Sequence, residues 1–119
     1  MTNTSHCEDL YKVQLTNITA RLAATGSKLL FVTTTPYMPH RQQGDTVVED
    51  MNAIARKVMS TFKIPVFDLY KVVTDCCGVV YNDCDICKAH PCSYHYNPKG
   101  IKLQSIQLAA AIRKALKLE

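Results

Sequence analysis

The stretch KLLFVTTTPY, residues 28–37, carries four consecutive apolar residues, Leu29, Leu30, Phe31 and Val32, and closes on Pro36. A run of this kind that does not alternate with polar residues predicts a strand covered on both faces, as in the interior of a parallel sheet. An interior strand needs a hydrogen-bonded neighbour on each edge. One other stretch, IPVFDLY at residues 64–70, reads as a strand, with Pro65 tolerated at its start. Two strands do not make an interior, so the chain is expected to be a piece of a larger domain or to pair with a second chain.

The segments around these strands read as helices. Tyr11, Leu15, Ile18 and Leu22 recur on one face of a helix from His6 to about Thr25, with Gly26 as its stop. After a polar loop, MPHRQQGD, Thr46 and Glu49 form a capping-box pattern ahead of a helix to about Phe62. The expected buried stripe of that helix is Val47 or Val48, Met51, Ile54 with Ala55, and Val58. Residues 71–97 read as a long Cys-rich loop. Asn97 then serves as N-cap and Pro98 as first helical residue of a terminal helix whose apolar face is Ile101, Leu108, Ile112 and Leu116. The alternation of helix and strand predicts an α/β fold with a parallel sheet covered on both sides.

Composition limits the function classes. With 47% apolar and 20% charged residues in 119, the chain has the make-up of one globular domain. The net charge of +4 is spread over several segments, and Lys99, Lys102, Arg113, Lys114 and Lys117 fall on the polar side of the last helix, so no nucleic-acid partner is expected. No apolar run approaches the roughly 20 residues that cross a bilayer, and the amino-terminal stretch MTNTSHCEDLYK has neither a basic start nor an apolar run before a cleavage site. No membrane anchor, export signal or cofactor is expected in this chain.

The ordered set SKLLFVTTTPY, the helix bearing Asn52 and Ala55, IPVFDLY, the Cys-rich loop and HYNPKG before a terminal helix resembles the C-terminal half of an SGNH (GDSL-type) hydrolase. The resemblance spans nearly the whole chain. It implies a partial three-layer α/β/α (flavodoxin-like) sheet whose N-terminal strands are missing, with residues 1–119 as the C-terminal part of the domain. It also implies an esterase that cleaves acyl or acetyl groups from a small-molecule or carbohydrate ester in the complete protein. The last block of that family is Asp-x-x-His with a Gly five residues beyond. His95 and Gly100 match it, and Cys92 stands where the family has Asp.

The catalytic candidate is therefore His95, a general base, with Thr34 and Thr35 at a strand's carboxyl end as substrate-binding candidates and Thr33 beside them. Asp83, Asp85 or a backbone carbonyl would orient the imidazole in place of the family's Asp. Asn52 and Gly100 read as structural, Gly100 through close backbone approach. The nucleophile is absent: Ser5, Ser27, Ser60, Ser93 and Ser105 lack a Gly-Asp-Ser or G-x-S-x-G setting, and the family's oxyanion Gly and Asn blocks are missing. On its own the chain is expected to be inactive.

Five of the six cysteines, Cys76, Cys77, Cys84, Cys87 and Cys92, fall in the long loop, and Cys7 is the sixth. All six are disulfide candidates, and six cysteines allow fifteen pairings. Disulfides, the Asn3 and Asn17 glycosylation triplets and the family resemblance point to a secretory or extracellular parent. The competing reading is a zinc knuckle made of Cys84, Cys87, His90 and Cys92. A disulfide- or zinc-stabilised binding module without catalysis is accordingly the alternative to the hydrolase.

Overall fold

Helix α1 (Asn3–Ala23), strand β1 (Phe31–Val32), helix α2 (Met38–Gln42), helix α3 (Val47–Thr61), strand β2 (Val66–Phe67), helix α4 (Leu69–Cys77) and helix α5 (Pro98–Leu116) follow in that order in the computed structural model, which describes residues 3–117. The fold is mixed α/β, mostly helical, around a two-stranded parallel sheet. Phe31 lies opposite Val66 and Val32 opposite Phe67, and the Phe31 and Thr33 amides each donate at 3.0 Å to Pro65 O and Phe67 O.

Both strands are shorter than the apolar runs that announced them. Asp68 ends β2, because its carboxylate accepts the Lys71 amide at 3.1 Å and caps α4, so Leu69 and Tyr70 belong to a helix instead of a strand. Helix α4 in turn occupies the first part of what read as a loop over 71–97. Its sequence, LYKVVTDCC, is rich in β-branched residues and lacks a clear period, yet it buries Val73 and stops at Gly78, whose φ of 86° a side chain would resist. The MPHRQ part of the polar loop likewise forms α2, with Pro39 in its first turn.

At the start of α3, Thr46 occupies the N-cap position, but the capping box does not form. Its hydroxyl donates to the Asp50 carboxylate at 3.0 Å, while Asp45 accepts the Val47 amide at 3.0 Å. Glu49 is drawn away to the Tyr70 hydroxyl. The buried residues of α3 are Ala55 and Val58, as expected, together with Asn52 and Met59, while Val47, Val48, Met51 and Ile54 are half-buried. This face receives α1, which offers Tyr11, Leu15 and a buried Thr19. Ile18 and Leu22, expected on the buried face of α1, are 55% and 48% exposed, whereas the neighbouring Thr19 is buried.

The best-buried cluster lies away from the sheet. Met38, Val73, Tyr81, Ile86, Cys87 and Cys92 pack together, with Cys77, Cys84, Tyr96 and Leu103 around them. The sheet itself is thinly covered. Leu29, Leu30, Phe31 and Val32 are all half-buried, and no other strand among the described residues pairs with β1. A groove of about 370 Å³ separates Leu30, Val66 and Phe67 from Ala111 and Ala115 of α5. On α5, Ile101 and Ile112 are 56% and 43% exposed, so its expected apolar face is largely unfilled.

The molecule is a slab of 48 × 43 × 16 Å with a radius of gyration of 15.7 Å, against about 13.5 Å for a compact chain of this length. Its surface of 7877 Å² exceeds by about 1,400 Å² the roughly 6,450 Å² that a compact monomer of this mass presents.

Helix α5 is fixed to the core loop through Gly100. A Cβ built there would stand 2.6 Å from Ile86 O and 3.0 Å from the Cβ atoms of Ile86 and Tyr96. Gly100→Ala is therefore expected to lower stability by about 1–3 kcal/mol, measured by urea denaturation.

Candidate functional site

His95 lies three residues beyond the Cys87–Cys92 disulfide, in the short segment that leads to α5. An isolated antiparallel bridge joins Cys87 to Tyr96, and His95 O accepts the Lys88 amide at 3.0 Å. Asn97 fastens the end of the loop. Its amide N–H donates to Ile86 O at 3.0 Å, its side-chain Nδ2 donates to Asp85 O at 2.7 Å and Cys87 O at 3.2 Å, and its Oδ1 accepts the Gly100 amide at 2.9 Å as the cap of α5. The backbone around His95 is thus held while its side chain is exposed.

The loop meets the segment that leaves β1. The Met38 amide donates to Ser93 O at 3.4 Å, and Tyr37 packs edge-on against Tyr94 with ring centroids 5.2 Å apart. Tyr94 lies against the His95 ring at 4.3 Å, and Tyr37 against His40 at 4.5 Å. His95 therefore stands at the carboxyl-end side of the sheet, where α/β folds place ligands. It lines an open cleft of about 460 Å³ with Leu69, Tyr94, Tyr96, Ile101 and Leu108 as apolar walls, and with Ser105 on the same wall of α5.

None of the expected orienting groups serves the imidazole. Cys92 is bonded to Cys87, so it offers neither a thiolate nor a carboxylate's lone pairs. Asp85 pairs with Lys99, whose ammonium holds the exposed carboxyl below its usual range. Among the described residues the His95 ring makes no hydrogen bond with a protein group, to Asp83 or to any other.

The three threonines after β1 have distinct surroundings. Thr33 is buried: its hydroxyl donates to Asp68 Oδ1 at 3.1 Å and accepts the Tyr70 amide at 3.0 Å. Arg56 completes this cluster, 2.7 Å from Asp68 Oδ2. Thr34 is clamped by Asn52, whose amide group accepts from Thr34 N and donates to Thr34 O, both at 2.9 Å, leaving the Thr34 side chain exposed. Thr35 is half-buried, two residues before Tyr37. Beside them Tyr70 donates to Glu49 at 2.5 Å, and burial, with that carboxylate, pushes its phenol up to about 12.

The cysteines resolve into local pairs, Cys77–Cys84 and Cys87–Cys92, while Cys7 and Cys76 are free and exposed. This corrects the zinc-knuckle expectation: Cys84, Cys87 and Cys92 are divided between two disulfides, and His90 Nε2 sits 3.0 Å from Cys84 O instead of joining a ligand set. It also corrects the inclusion of Cys7 and Cys76 among the disulfide candidates. The aromatic frame of Tyr37, Tyr94 and Tyr96 was missed in the sequence, although the pattern Tyr-His-Tyr at residues 94–96 was its signal. No family model, curated protein or solved structure matches the chain.

Asp68 joins β1, α3 and α4 through hydrogen bonds that Asn can partly imitate. Asp68→Ala is expected to cost about 1–2 kcal/mol, and Asp68→Asn less than half as much, since Asn caps a helix as well as Asp and the exposed Arg56 pair contributes little. Chemical denaturation of both variants checks the order.

Proposed function

We propose that these residues are the C-terminal part of an SGNH-type ester hydrolase domain, a three-layer α/β/α sheet completed by strands from outside the chain. The observation that carries this reading is a pairing of two features. His95 is presented at the carboxyl-end side of a parallel strand pair, and the apolar residues 29–32 of that pair's first strand are left half-buried beside an open groove. The groove of about 370 Å³ beside Leu30, Val66 and Phe67 supports docking of a further segment or second chain there.

In the completed site His95 acts as general base. It takes the proton of a serine hydroxyl as that oxygen attacks the ester carbonyl, then returns it to the leaving alkoxide. The serine and the oxyanion donors come from the docking segment. The apolar cleft beside His95 suits the acyl side of a small-molecule or carbohydrate ester, with Thr34 and Thr35 at its edge. Two disulfides support an oxidising, secretory setting for the parent, and no helix of the described residues is long and apolar enough to cross a membrane. The unoriented His95 ring supports a second reading, in which the disulfide-fastened scaffold is a binding module without catalysis.

Hydrolysis of a p-nitrophenyl ester tests the assignment. The chain alone is expected to match its His95→Ala variant, and turnover lost in that variant would contradict the claim that a nucleophile is missing. In a protein completed by an upstream segment bearing Gly-Asp-Ser, the same substitution is expected to lower kcat by about 10⁴-fold. Full activity of that variant refutes the role of His95.

A further inference from the structure

Helix α4 ends on two consecutive cysteines, Cys76 and Cys77, immediately before its Gly78 cap. Cys77 is bonded to Cys84, while Cys76 carries an exposed free thiol. The sulfur atoms of Cys76, Cys77 and Cys84 all lie within 4.8 Å of one another. A free thiol this close to an established disulfide is a nucleophile beside its electrophile, since thiolates break disulfides by attack on one sulfur.

We infer that Cys76, Cys77 and Cys84 form a thiol–disulfide exchange site in which Cys84 alternates between two partners. The Cys76 thiolate uses its electron pair to bond Cys84 Sγ. The Cys77–Cys84 bond breaks, its pair leaves on Cys77 Sγ, and Cys77 takes up the proton that Cys76 gave up. One disulfide and one thiol are present before and after, so no external oxidant or reductant is consumed.

Attack on Cys77 itself is disfavoured by geometry. Consecutive Cα atoms are held about 3.8 Å apart, short of the roughly 4.4 Å at which disulfides begin. Cys84 is free of that constraint: it comes from the other side of the loop, and its sulfur lies within 4.8 Å of that of Cys76. The exchange moves the free thiol from an exposed position to a half-buried one. Because Cys77 and Cys84 pack against the cluster that includes Cys87 and Cys92, it also alters the support of the His95 loop.

The test is disulfide mapping of the folded protein. Wild-type chain is left without reductant, quenched in acid and alkylated, and fragment-ion spectra locate the linkage to Cys84. The expected result is a Cys76–Cys84 linkage in addition to Cys77–Cys84, with the former lost in Cys76→Ser. In Cys77→Ser, Cys76–Cys84 is expected as the linkage of Cys84, leaving Cys7 the one alkylatable cysteine. Wild-type mapping that finds Cys77–Cys84 alone overturns the inference, whether or not the Cys77→Ser variant folds.

Discussion

The hydrogen bonds that converge on Asn97 join α5 to the loop that contributes Ile86, Cys87 and Cys92 to the best-buried cluster. Its amide N–H and side chain bind three carbonyls of the disulfide loop, those of Asp85, Ile86 and Cys87, and cap α5 at Gly100. Each bond is worth about 1 kcal/mol net, but all four share one side chain and its backbone, so they act as a unit. The tight seat of Gly100 against Ile86 is the steric half of the same junction. Through it the loop bearing His95 is fixed relative to α5, and through Met38 and Tyr37 relative to the end of β1. Without that junction neither α5 nor the imidazole would have a defined position.

The sheet shows the opposite economy. Four consecutive apolar residues around β1 remain half-buried, with a groove on the side of α5 and no second neighbour among the described residues. Apolar area left in water forgoes about 25 cal/mol for each Å². The fastened loop and the thinly covered sheet are thus opposite extremes of packing within one chain.

How far the sequence disclosed this depends on the element. Asn97, Pro98 and Gly100 were legible because capping chemistry and close approach are local, and the parallel pairing of the strands followed from their composition. Helix α4 was not legible. Asp68 stops the strand through its side chain, and the β-branched run that follows is helical because Val73 is buried by tertiary packing. The buried face of α3 was legible at Ala55 and Val58 but not at Asn52, which is buried because it clamps the Thr34 backbone. On α1 a polar residue, Thr19, is buried where Ile18 and Leu22 were expected. For the site, His95 was marked by its spacing to Gly100, whereas the tyrosines that frame it depend on two loops distant in sequence meeting in space.

The two disulfides span sequence separations of 7 and 5, each a closure that restricts the unfolded chain by about 2 kcal/mol on the loop-entropy account. Both rings fall within residues 77–92, from the last residue of α4 into the loop before α5, so they need nothing from distant parts of the chain to close. The second ring ends three residues before the imidazole, so the backbone that leads to His95 starts from a covalently restricted position.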